Sequence, residues 1–208
     1  MLTKTQLGIL DAFRKNIFQK LDFKKVKALS GQKSNSVIQA ALLAFKELNV
    51  ITFEKAGKSI FYSLNFENSL TLSYLSLLSG LELRSNKLLP FAILQKIQKR
   101  LQKETPFFIL FVFGSYAKKT PRQGSDLDVA VIVEDDTKVA DVKPGLATIQ
   151  RRELMDIDYH VFALNEFLEM LFDENENLGK QIYRGSMIYY GAAQYYSLLS
   201  VNSRRIIL

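Results

Sequence analysis

Two aspartates one residue apart, Asp126 and Asp128, stand at the head of the apolar run Val129-Ala130-Val131-Ile132-Val133. Alternate side chains of an extended chain share a face, so both carboxylates point the same way. Apolar residues on both faces beyond them describe a central strand covered on both sides. Two like charges held this close are costly unless a cation neutralises them. Mg²⁺ suits such a pair, because it is a hard ion that takes carboxylate and phosphate oxygens and keeps part of its water. Upstream, Gly114-Ser115 closes a second apolar run, Phe107 to Phe113. A glycine there lets a phosphate approach the backbone, and the Ser115 hydroxyl and amide begin a helical turn where anions are favoured. A P-loop is excluded, since Lys119 occupies the position of its second glycine and Pro121 interrupts the helix it needs.

A third carboxylate is within reach of the pattern. Met155-Asp156-Ile157-Asp158-Tyr159-His160-Val161-Phe162 alternates strictly, placing Asp156, Asp158 and His160 on one strand face. Lys138, Lys143, Arg151 and Arg152 lie between the two Asp-bearing strands, where they could meet phosphates, but as isolated charges they read as surface. Ahead of the first strand, the spacing predicts a helix from Phe91 to Gln102, ended by Pro106. Leu94, Ile97 and Leu101 face inward, and Lys96, Lys99, Arg100 and Lys103 form a solvated row. The segment Ile182 to Leu199 reads as a closing strand and helix.

The absence of cysteine and the single histidine exclude disulfides, thiol catalysis and His-rich metal sites. No apolar leader or bilayer-length span is visible, so a cytoplasmic protein with no membrane partner is expected. The net charge of +7 is unevenly placed. Residues 1–65 carry eleven Lys and Arg against four Asp and Glu, an excess of seven that accounts for the whole. Such asymmetry suggests two domains, the first facing a polyanion.

Within that basic segment, Thr3 and Gln6 have the spacing of a capping box, followed by Leu10, Phe13, Ile17 and Leu21 at helical intervals. Asp22 caps a second helix that stops at Ser30-Gly31, and Ser34 or Asn35 caps a third with Ile38, Ala41, Leu42, Phe45 and Leu48 inward. Val50 to Phe53 and Ile60 to Leu64, with Glu54 to Lys58 as the turn, read as a hairpin. Three helices and a hairpin resemble a winged helix-turn-helix over residues 1–66. The resemblance implies binding to double-stranded DNA. Lys33, Ser34, Asn35, Ser36 and Gln39 would enter the major groove, and Lys55 and Lys58 would lie near phosphates on the wing. Residues 67–86, nearly uncharged at first and rich in Leu and Ser, read as a connecting helix that docks the domains or forms a homodimer.

Residues 87–208 resemble the DNA polymerase beta-like nucleotidyltransferases, above all their minimal members. Phe113-Gly114-Ser115-Tyr116-Ala117-Lys118, the ten residues 116–125, and Gly124-Ser125-Asp126-Leu127-Asp128 carry the resemblance. Lys119 stands where the family more often has Gly. The fold implied for the chain is α+β: a winged helix-turn-helix, then a mixed sheet flanked by helices. The resemblance also implies a third carboxylate, for which Ile157-Asp158-Tyr159-His160-Val161 fits the register and selects Asp158 over Asp156. In this reading Asp126, Asp128 and Asp158 hold two Mg²⁺ ions, while Gly114, Ser115 and Ser125 bind the nucleotide. The implied activity is transfer of NMP from an NTP, ATP being the expected one, with release of pyrophosphate. The alternatives are a DNA-binding regulator that senses nucleotide without turnover, and the antitoxin of a toxin–antitoxin pair whose acceptor is the cognate toxin. Drug modification of the aminoglycoside type leaves the winged helix unexplained.

Overall fold

The computed structural model describes residues 1–207. The chain divides into two compact units, Met1–Leu78 and Ser79–Leu208, with the boundary inside one helix.

The first unit begins with α1 (Lys4–Arg14). The Thr3 hydroxyl accepts the Gln6 amide while the Gln6 side chain accepts the Thr3 amide, closing the capping box. A two-residue strand, β1 (Leu21–Asp22), leads into α2 (Phe23–Ser30). The Asp22 carboxylate caps α2 by accepting the Lys25 amide at 2.7 Å, and Gly31 ends the helix at φ 67°. This left-handed conformation favours glycine. The Ser34 hydroxyl then caps α3 (Asn35–Glu47), whose Ile38, Ala41, Leu42 and Phe45 are buried while Leu48 is half-buried.

β2 (Ile51–Ala56) and β3 (Ser59–Leu64) pair antiparallel from Ile51↔Leu64 to Ala56↔Ser59. The strands therefore reach further than the sequence suggests, leaving only Gly57-Lys58 as the turn. Gly57, at φ 60°, occupies the first central position of that turn. β1 adds to β3, giving the sheet order β1-β3-β2. So short a strand leaves no alternation to detect. α4 (Ser69–Ser85) follows; in its first turns Thr71 donates to the Val50 carbonyl at 3.3 Å.

The second unit contains α5 (Phe91–Glu104), β4 (Phe108–Val112), the single turn α6 (Gly114–Ala117), β5 (Leu127–Val133) and α7 (Asp136–Gln150). Then come β6 (Ile157–Ala163), α8 (Leu164–Phe172), α9 (Leu178–Gly185), β7 (Met187–Tyr190) and α10 (Ala192–Asn202). The four strands lie in the order β6-β5-β4-β7, with only β5 and β6 parallel. The parallel pair needs a crossover, which α7 supplies. The sequence reading assigns no element to Asp136–Gln150, a helix that carries Pro144 inside it.

Alternation sorts the sheet's two faces. Leu127, Val129, Val131 and Val133 of β5 join Leu94, Ile97 and Leu101 of α5 and Val142 and Leu146 of α7 in one core. On the other face, Phe111 stacks on Phe167 of α8 at 6.2 Å and meets Tyr195 of α10 edge-on at 5.0 Å. Among the described residues, no helix is long and apolar enough to cross a membrane. Phe111 is wholly buried, so Phe111→Ala is expected to cost about 3–5 kcal/mol of unfolding free energy. Chemical denaturation of the full chain, followed by circular dichroism, measures it.

Candidate functional site

The parallel ladder places Asp128 directly beside Asp158. Residues opposite one another in a parallel pair project to the same side, so both carboxylates leave the sheet on the face away from α5 and α7. Asp126 lies just ahead of the strand, because the ladder opens one residue later, where the Leu127 amide donates to the Asp156 carbonyl at 2.8 Å. Asp156 contributes its main chain at that point, and its carboxylate is not among the groups acting on Asp128.

Asp128 is the most constrained of the three. Burial raises its pKa first, and the charges of Asp158 and Asp126 raise it further, while the Ser115 amide, donating to the carboxylate, pulls the other way. Gly114 makes the arrangement sterically possible. It sits at φ 63°, and a Cβ added there would overlap Asp128 Oδ2 and lie 2.7 Å from its Cγ. The residue is glycine for conformation and for space together. The structure gives Ser115 a role the sequence does not show, since its amide holds Asp128. The Ser125 hydroxyl is likewise engaged in its own loop, accepting the Arg122 amide at 2.8 Å.

Neighbouring groups fix this corner. His160, two residues beyond Asp158 on the same face, brings Nε2 to 3.4 Å from Asp158 Oδ2. Its ring stacks on Phe162 and tilts against Phe113. Asn86, 1% exposed, donates its side-chain amide to the Tyr116 carbonyl at 2.8 Å and accepts the Leu88 amide at 3.2 Å. It thereby ties α6 to the segment after α4. A lone Asn after a Leu-rich helix gives no motif by which to find it; only burial identifies it.

Among the described residues, no Lys or Arg lies within ion-pair distance of Asp126, Asp128 or Asp158, and no three His, Cys, Asp or Glu side chains form a ready-made metal cage. The arrangement is a registered pair of carboxylates with an exposed third at its mouth. This donor set, all oxygen and excess negative charge, fits Mg²⁺. That ion is commonly held by one or two carboxylates, substrate phosphate and water rather than by an all-protein cage.

In the first unit, Lys33, Asn35, Ser36, Gln39, Lys55 and Lys58 are exposed and Ser34 is half-buried. Ser34 caps α3, and the Asn35 side-chain oxygen accepts from Lys27 Nζ at 2.7 Å, so both have structural partners. Lys33, Ser36 and Gln39 stand at and beyond the start of α3, and Lys55 and Lys58 lie on the hairpin.

Lys119 marks a local cost. It adopts φ 61°, the left-handed region, at the end of the α6 turn, where its amide donates to the Tyr116 carbonyl at 3.2 Å. Lys119→Gly is expected to stabilise the unit by about 0.5–1 kcal/mol, relief of backbone strain outweighing the added freedom of the unfolded chain. A denaturation midpoint unchanged or lowered relative to the parent chain would refute this.

No curated protein matches the chain. One solved structure, described as "Crystal structure of the toxin-antitoxin with AMP-PNP", is similar at 18% identity, with a TM-score of 0.35, over 53% of this chain and 85% of that one. Residues 95–190, from within α5 to the end of β7, match the family described as "Polymerase beta, Nucleotidyltransferase". The mixed sheet with its flanking helices fits such a domain, and the match supports a polymerase beta-like nucleotidyltransferase domain over that stretch.

Proposed function

We propose that the protein is a Mg²⁺-dependent nucleotidyltransferase that moves a nucleoside monophosphate from an NTP, with ATP the expected donor, to an acceptor. The observation that carries this reading is the in-register pair Asp128 and Asp158, with Asp126 at its mouth, beside the Gly114-Ser115 turn. Mg²⁺ bound there would supply charge neutralisation for the triphosphate and hold it against the carboxylates. The chain's own groups do the positioning. Gly114 leaves the space that Asp128 fills, and the Ser115 amide fixes the Asp128 carboxylate. An acceptor oxygen attacks the α-phosphorus, the bond from that phosphorus to the bridging oxygen breaks, and pyrophosphate leaves. Asp158, its side chain 58% exposed and next to His160, is placed to take the acceptor's proton. Catalysis of this kind rests on orientation and electrostatics.

Asp128→Asn keeps an acceptor for the Ser115 amide and removes a charge, so the fold is expected to survive. Transfer of label from α-labelled NTP in the presence of Mg²⁺ is expected to fall at least 100-fold. Undiminished transfer by the variant would sink the assignment. Mg²⁺-dependent NTP binding by the parent chain without pyrophosphate release, whatever acceptor is added, would turn the site into a sensor.

The N-terminal unit, in the same proposal, is a winged helix-turn-helix that binds double-stranded DNA. The support is its order of α1, α2, α3 and a hairpin, the tight turn at Gly31, and the concentration of the whole net charge in residues 1–65. Replacing Lys33, Lys55 and Lys58 together by Gln should flatten the slope of log K against log salt by about 0.9 for each phosphate no longer neutralised. An unchanged slope for a duplex of any sequence would remove these residues from the interface.

A further inference from the structure

α5 and α7 run side by side in opposite directions. Lys138, near the start of α7, donates to the Glu104 carbonyl at the end of α5 at 3.3 Å, and Lys96 pairs with Glu153 beyond the end of α7 at 2.6 Å. On their solvent side they enclose an open cleft of about 430 Å³. Lys96, Lys99, Arg100, Lys103 and Arg152 line it, with Glu153 as its one acid.

The cations are of two kinds. Lys96 and Arg100 are held by Glu153 and Glu104, at 2.6 and 2.7 Å. Arg100 also lies across α7 at Gly145, where an added Cβ would come within 3.0 Å of its Cγ. Lys99, Lys103 and Arg152 have no acidic partner among the described residues. Lys96, Lys99 and Lys103 follow one stripe of α5, about 10 Å long at about 1.5 Å per residue. A row of exposed charges of this length matches a polymer of regularly spaced anions better than a compact ion, which would need its donors to converge.

We propose that this cleft binds the phosphate backbone of a single nucleic-acid strand, and that this strand is the acceptor. The second half of the proposal rests on the nucleotidyltransferase reading. The carboxylates lie on the opposite face of the sheet, so the cleft is a separate docking site and the strand must turn the end of the sheet to reach them. That path is short. Glu153 and Asp158 are five residues apart, a separation of at most about 18 Å even for a fully extended chain. The Arg152 end of the cleft is therefore the end nearest Asp158, and a strand leaving there presents its terminal hydroxyl as the attacking oxygen.

The test uses the full chain and a triple variant, Lys99→Gln, Lys103→Gln and Arg152→Gln, which leaves both internal ion pairs intact. Twelve-nucleotide RNA and DNA strands carrying a photo-crosslinking base and a fluorophore serve as probes. The variant is expected to bind the preferred strand at least tenfold more weakly at low salt. Its salt slope should fall by about 2, from about 0.7 per neutralised phosphate on a single strand. Crosslinks in the parent should map to peptides covering residues 96–103 and 151–153. Equal binding by the two proteins, or crosslinks confined to residues 33–58, overturns the proposal. So does label from α-labelled NTP arriving on a protein acceptor with strand binding unaffected, an outcome that leaves the nucleotidyltransferase reading standing. Cleft-dependent binding and crosslinks with no pyrophosphate released from any NTP support the docking site and overturn the reading of the carboxylates. Label on the strand's terminus, with a raised KM and an unchanged kcat in the variant, supports both.

Discussion

The second unit is organised around one electrostatic constraint, the parallel register that sets Asp128 against Asp158. Unit charges about 4 Å apart repel by about 1 kcal/mol in water and by about 4 kcal/mol near a protein surface. The exposure of Asp158 places this pair toward the lower figure, yet Asp128 still carries the burden, because burial adds to the two neighbouring charges. The surrounding structure keeps the pair from separating. Both strands continue into apolar residues buried on two faces, so a slip along the strand would carry a carboxylate into the core or apolar side chains out to the mouth. Gly114 leaves the room and Ser115 the hydrogen bond that make the Asp128 position tenable.

What can be read in advance follows from how local each cause is. Thr3 with Gln6, Asp22 with Lys25, and Gly31 are decided within a few residues, and α2 lies where the spacing places it, whereas α1 stops at Arg14, short of Ile17 and of Leu21, which is drawn into β1. The buried faces of α3 and α5 follow from period alone. The strand that carries Asp128 is visible because apolar residues fill both faces, a pattern few other elements produce. What escapes depends on distant partners. β1 exists only because β3 lies beside it. α7 tolerates Pro144 and Gly145 in its middle, the latter where Arg100 crosses. Asn86 and Ser115 acquire their roles from Tyr116 and Asp128, and no spacing encodes such pairings.

Charge is distributed by the same logic. The net +7 belongs to residues 1–65, while the remaining residues balance overall. That balance conceals two opposite local fields in the second unit, a carboxylate mouth on one face of the sheet and a basic cleft outside the helices that cover the other. A neutral total therefore says nothing about either surface, and segment-by-segment counting misses both because their residues alternate along the chain.

The sign of the carboxylate site constrains what it can be more tightly than its shape does. A pocket built only to sense a nucleotide would meet triphosphate with amides and cations, which bind it without help. Here the nearest charged groups are three carboxylates, with His160 the one basic side chain within ion-pair distance of them among the described residues. Such a mouth repels triphosphate, and in the proposed reading a divalent cation held there would be needed for binding and for chemistry alike. In the proposed reading Asp158, exposed and 3.4 Å from His160, would serve both the metal and the acceptor's proton. That choice of acids over amides and cations is why the proposal is one of turnover rather than sensing.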